Sequence, residues 1–287
     1  MARLPGRVVL ALLVCLIAWP AWADEQFHLT VLHTNDNHGM MLPFSYQRDN
    51  SPYAQAPREL GGLARRAALV ARLREESAHP VALVDAGDVF TRGPWHEAWF
   101  GVPEIEAMNL MGYDLLMVGN NEVKPRWGDP RSRQMMLSLM RRSRFPWLAA
   151  NLTLGTTPLV GGDAPPQVER IHPFVVRAFG EVQVGFLAVT TAVGPDYGFL
   201  EGWSFGDPIA AARHWVPIAR EECDVLLVVS HAGYDTDRRL AAEVPGIDAI
   251  IGGHSHTFLS EPERVISPTG QEVPIAQAGE HGVVWAA

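Results

Sequence analysis

The chain has 287 residues, of which 47% are hydrophobic and 19% charged, with 32 Asp and Glu against 23 Lys and Arg and a formal net charge of −9. That balance fits a globular domain with a sizeable core and excludes a disordered or low-complexity chain. The acidic surplus also argues against a general binder of nucleic acid or anionic membrane, since both present phosphate.

The first 23 residues read as a secretory signal. Arg3 and Arg7 precede an apolar run at 8–17, and Ala21-Trp22-Ala23 fits the small-x-small cleavage rule. The run is too short for a comfortable membrane span, and the alternative reading is an uncleaved N-terminal anchor. Cleavage before Asp24 would leave 21 basic against 32 acidic side chains and Cys223 as the one cysteine. A secreted or periplasmic protein without an intramolecular disulfide is therefore expected. Beyond the signal, short apolar runs at 27–32, 81–84, 114–118, 147–150, 174–178, 182–189, 225–229, 249–251 and 273–276 read as strands. Several are continuously apolar, which predicts cover on both faces. Phe179-Gly180-Glu181 reads as a hairpin turn. Helical patterns fall at 63–77, 103–111, 131–143, 208–222 and 236–243, and Asp207 before Pro208 reads as an N-cap with proline in the first turn. Stretches 43–58 and 154–167 read as surface loops. Strands alternating with helices, plus a hairpin, predict an α/β layered fold of mixed sheets.

Five segments follow predicted strands and carry metal-ligand chemistry: Asp36-Asn37-His38, Gly87-Asp88, Gly119-Asn120, Ser230-His231 and Gly253-His254-Ser255-His256. Side chains at the C-terminal ends of neighbouring strands converge on one sheet edge. Two Asp, four His and one Asn are enough to hold two divalent metals with one carboxylate between them. In an extended segment Asp36 and His38 would point the same way, as would His254 and His256. The mix of N and O donors fits Zn, Mn, Fe or Co and disfavours Ca.

These residues, with Leu32-His33-Thr34-Asn35 before Asp36, Gly61-Gly62-Leu63-Ala64, Asp85-Ala86-Gly87-Asp88, Met108-Asn109, Gly112-Tyr113-Asp114, Ala150-Asn151-Leu152 and Gln277-Ala278-Gly279, resemble the metallophosphoesterase domain of the 5′-nucleotidase family, within the calcineurin-like superfamily. The resemblance implies a four-layer αββα sandwich of two mixed β-sheets over residues 24–287. Asp36, His38, Asp88 and His256 would hold one metal. Asp88 would bridge to a second, completed by Asn120, His231 and His254. A hydroxide held between the metals would attack phosphorus in line, on nucleotides or other small phosphate esters. His33 would be structural support, and His96, His214 and His281 have no motif role. The family's C-terminal domain, which supplies aromatic residues that stack on the base, is expected to be absent.

The chain departs from the family pattern at one place. Where the family has Gly-Asn-His-Glu with an Asp soon after, this sequence has Gly119-Asn120-Asn121-Glu122-Val123-Lys124. Asn121 takes the position of the catalytic His and Lys124 that of its Asp partner. An amide can donate a hydrogen bond to phosphate but cannot deliver a proton near neutral pH. Two readings follow: a phosphohydrolase without its general acid, or a metal- or phosphate-binding pseudoenzyme. Arg92 and Arg126, in loops after two ligand segments, are the candidate substrate-binding side chains, since phosphate must approach against the net charge.

Overall fold

A computed structural model describes residues 26–45, 60–90, 93–123, 132–154, 157–158, 171–193, 203–282 and 285–286. The signal at 1–23, most of the two expected loops, Arg92, Lys124 and Arg126 lie outside the described residues.

The first half of the chain runs β1 (Thr30–Thr34), α1 (Leu63–Glu76), β2 (Val81–Asp85), α2 (Gly93–Trp99), α3 (Val102–Met111), β3 (Leu115–Met117), α4 (Ser132–Arg142), β4 (Trp147–Leu148), β5 (Leu152–Leu154), β6 (Thr157–Pro158) and β7 (Ile171–His172). The second runs β8 (Phe174–Phe179), β9 (Val182–Thr190), β10 (Trp203–Phe205), α5 (Pro208–Arg220), β11 (Val225–His231), α6 (Tyr234–Glu243), β12 (Ala249–Ile251), β13 (Glu263–Ile266), β14 (Glu272–Ala276) and β15 (Trp285–Ala286). Among the described residues these strands form two six-stranded sheets, ordered β15-β1-β2-β3-β4-β7 and β13-β14-β12-β11-β9-β8, and a three-stranded β10-β5-β6 sheet. Each large sheet is mixed. β15 pairs antiparallel to β1, and β13 and β8 form antiparallel edges on an otherwise parallel second sheet.

The layers follow from side-chain alternation. On β2, Leu83 faces a core shared with Val70 of α1, Ile105 and Met108 of α3, and Met136 and Leu139 of α4. Its neighbours Ala82 and Val84 face the other way, toward Val184, Phe186, Leu227 and Val229 of the second sheet. Leu226 and Val228 of β11 then face Ile209, Ala212 and Val216 of α5 and Leu240 of α6. Three apolar layers therefore separate helices, sheet, sheet and helices, which is why the strands read as unbroken apolar runs. The expected αββα sandwich of mixed sheets is what the structure shows.

Local signals are matched closely in places. Asp207 accepts a hydrogen bond from Ala210 N at 2.7 Å and Pro208 opens α5. Gly180, at φ 66°, turns the β8–β9 hairpin. The strand expected at 27–32 is instead Thr30–Thr34, and β11 extends to include His231. α2 has seven residues, too few to display a helical period, and the sequence pattern does not announce it.

Candidate metal centre

Parallel pairing sets the geometry. Thr34 of β1 lies opposite Asp85 of β2, so the loops after them leave the sheet side by side. Backbone bonds continue past the strands: Asp36 N to Gly87 O and His38 N to Asp88 O, both 2.9 Å, then Gly39 N to Val89 O at 2.8 Å. Asp85 ties the same loops together, accepting from Asn37 Nδ2 at 2.9 Å and Gly87 N at 2.8 Å. Burial pushes the Asp85 carboxyl up to about 7, against its Thr34 and Gly87 hydrogen bonds.

The ligand pairs converge by a different backbone from the extended one expected. Asp36 and His38 both hold φ 49°, and His254 and His256 hold 75° and 54°. These are left-handed turns, and they correct the expectation that two-residue spacing in an extended segment would align the side chains. Asp88 has φ 58° as well. The loops are tight enough that a Cβ on Gly119 would stand 2.4 Å from Asp88 Oδ1, and one on Gly87 would stand 2.9 Å from the Gly119 backbone.

Asp36 is the centre of the cluster. Its Oδ2 accepts from Asn35 Nδ2 at 2.7 Å and His254 N at 2.9 Å. Its buried Oδ1 meets no hydrogen-bond geometry, although the Nε2 atoms of His256, His38 and His231 stand 3.2, 3.8 and 3.9 Å away. A buried carboxylate oxygen faced by three imidazole nitrogens, each a potential lone-pair donor, is an arrangement completed by a cation. Among the described residues, the donor atoms of two groups lie within 4.8 Å of one another: Asp36, His38 and His256, and Asp36, Asp88 and His231. Asp36 is common to both groups. Asn120 Oδ1 lies 3.1 Å from His231 Nε2 and 3.0 Å from His254 Nδ1, so all seven sequence candidates come together.

The charge state reflects crowding of carboxylates and imidazoles. Burial opposes ionisation of Asp88, but the His231 charge and hydrogen bond hold it well below the usual carboxylate range. Burial likewise disfavours charge on His231, yet Asp88 and Asp36 raise it to about 10. Contacts with Asp36 and then Glu280 raise His256 to about 9. Burial and the His231 charge lower His254. His231 Nδ1 donates to the Ala86 carbonyl at 2.7 Å, so once the ring gives up its other proton the lone pair lies on Nε2.

Three residues that the motifs did not single out support the site. Glu122 is fully buried and accepts from Asp88 N and Val89 N at 2.8 Å and from Gly119 N at 2.7 Å, joining the loops after β2 and β3. Burial and Asp88 nevertheless push it up to about 8. Gln277 donates to Gly253 O at 3.2 Å and accepts from Ser255 Oγ at 3.0 Å. Glu280 Oε2 lies 2.8 Å from His256 Nδ1. Glu122 and Gln277 belong to segments already visible as motifs; Glu280 carries no sequence signal.

Asn121 sits at the centre and donates to Asp88, from N to Oδ1 at 2.8 Å and from Nδ2 to Oδ2. His33 is buried below the site, and burial lowers it to about 4. His96 stacks on Phe90, and exposed His214 meets Trp215 edge-on. His281, read as having no motif role, packs edge-on to His38 with ring centroids 6.0 Å apart and so helps wall the site.

Fold and site together define a metal-dependent phosphoesterase architecture. A family model for calcineurin-like phosphoesterases matches residues 29–258, and the chain belongs to that family. It is 30% identical to the 5′-nucleotidase of Bos taurus over 98% of this chain and 49% of that protein. The 5′-nucleotidase precursor of Thermus thermophilus aligns with a TM-score of 0.75 and 27% identity, over 90% of this chain and 50% of the other. Sulfate thiohydrolase SoxB of the same species has a TM-score of 0.72 at 20% identity, over 91% and 53%, a likeness of fold alone. The chain spans about half the length of the curated relatives it matches. Among the described residues no helix is long and apolar enough to cross a membrane.

Proposed function

We propose that this chain is an exported dinuclear-metal phosphohydrolase acting on nucleotides or other small phosphate esters. The observation that carries the reading is Asp36 Oδ1, buried, without a hydrogen bond and faced by three imidazoles. Asp36, His38, Asp88 and His256 would hold one ion, and Asn120, His231 and His254, with Asp88 shared, would hold the second. Bound there, two ions such as Zn, Mn, Fe or Co supply a water of lowered pKa and polarise the phosphoryl group. The nucleotide preference leans on relatives named 5′-nucleotidase, and export on the reading of residues 1–23.

The chain's own residues have defined tasks. The Ala86 carbonyl fixes the His231 tautomer, and Glu122 holds the backbone that presents Asp88. Asn121 donates a hydrogen bond and no proton, so the leaving oxygen departs largely unprotonated. Arg92 and Arg126 supply positive charge for substrate approach. The pseudoenzyme alternative gains no support from the assembled ligand cluster. Phosphate release by chelator-stripped protein, before and after reconstitution with Mn²⁺ or Zn²⁺, tests the proposal. Metal-restored turnover of nitrophenyl phosphate is expected. A protein confirmed to hold metal but without turnover of either an aryl phosphate or a nucleoside monophosphate would return the chain to the pseudoenzyme reading.

A further inference from the structure

Glu280 stands in a segment pinned from both sides of the metal centre. Asn35 Oδ1 accepts from Ala278 N at 3.0 Å and Asn35 Nδ2 donates to Gly279 O at 2.6 Å. Gly279 N donates to Thr257 O at 3.0 Å, and His281 N donates to Asp36 O at 2.8 Å. The segment thus bonds to the loop that carries Asp36 and to the loop that carries His256, which leave different sheets. The Glu280 side chain is 18% exposed, and its Oε2 lies 2.8 Å from His256 Nδ1 and 3.3 Å from His281 Nε2. On the opposite side of the His256 ring, Nε2 faces Asp36 Oδ1 at 3.2 Å and His38 Nε2 at 3.2 Å.

We infer that Glu280 is a positioning residue for His256. A carboxylate can only accept from Nδ1–H, so it selects the tautomer with the lone pair on Nε2, the atom that faces Asp36 and His38. The same contact fixes the ring plane and makes Nε2 a better donor. The anchored backbone on either side keeps the carboxylate in place while the metal site fills and empties. Glu280 acts through His256 and touches no reacting atom. The inference rests on the dinuclear reading above.

The test uses metal-free full-length protein, with Zn²⁺ binding measured by competition against a chromophoric chelator. His256 ring ¹⁵N shifts in the Zn²⁺-loaded protein provide a readout independent of activity. Wild type, Glu280→Ala, Glu280→Gln and His256→Ala are compared, each checked for native circular dichroism. Glu280→Ala should weaken one of two sites about 10- to 100-fold, leave the other unchanged and move the His256 shifts. Glu280→Gln, which keeps an acceptor but loses the charge, should fall between wild type and the alanine variant and guards against a folding failure. If His256→Ala weakens a site while Glu280→Ala alters neither affinity nor shifts, the inference is overturned and the metal reading stands. If His256→Ala leaves both sites at wild-type affinity, the ligand assignment fails and takes the inference with it.

Discussion

Five of the seven proposed ligands, Asp36, His38, Asp88, His254 and His256, hold φ between 49° and 75°. For side chains other than glycine each such residue costs on the order of 1–2 kcal/mol. Strain of this kind persists where the surroundings over-determine the backbone, and here the ladder bonds past β1 and β2 do so. Asn121, with Lys124, stands where the resemblance read from the sequence places a catalytic His and its Asp partner, and the consequence proposed for Asn121 is chemical rather than structural. Without a proton donor at that position, rate should depend steeply on leaving-group acidity. Wild-type protein should cleave nitrophenyl phosphate far faster than a nucleoside monophosphate, whose alkoxide leaves poorly. Asn121→His should narrow that ratio by about tenfold or more, since general acids contribute roughly 10²–10⁴-fold. Steady-state rates on both substrates decide it. Equal wild-type rates would mean that another group delivers the proton.

At the scale of elements, the long apolar strands and the capped helices are legible because two-sided burial and N-cap chemistry write directly into residue type. β9, β11 and α5 are examples. β5, β6, β7 and β10 are not legible: two or three residues cannot show a period, and their pairing is imposed by neighbours. The ligands are legible as residue types placed after strands. The left-handed turns that aim them are not, because Asp and His at positive φ are a tertiary outcome. Glu280 is hidden for the same reason, its role depending on a contact with His256, 24 positions away. α6 contributes a buried acid of its own. Burial raises Asp237 well above its ordinary 3.8, although Ser230 and the His231 charge oppose the shift. From about pH 4 upward the unfolded chain releases a proton that folded Asp237 keeps, so this residue subtracts stability as pH rises. Asp237→Asn, neutral at every pH, should therefore gain on wild type as pH increases from 5 to 8. Urea melts of the metal-free proteins measure the difference, and parallel curves across that range would remove Asp237 from the account.

For the whole molecule, two sheets leave their parallel strand ends on one edge, and the proposed ligands come from both. The loops after β1, β2 and β3 carry Asp36, His38, Asp88 and Asn120, while the end of β11 and the loop after β12 carry His231, His254 and His256. Metal binding by these residues would therefore tie the two halves of the sandwich together. A ligand at about 1,000 times its Kd adds roughly 4 kcal/mol to the folded state. The most direct measurement is metal stoichiometry by elemental analysis after stripping and reconstitution, in wild type and Asp36→Ala. Two transition-metal ions per chain are expected in wild type and fewer in the variant. A wild-type value that stays well below one per chain, or an Asp36→Ala variant that keeps both ions, would contradict it.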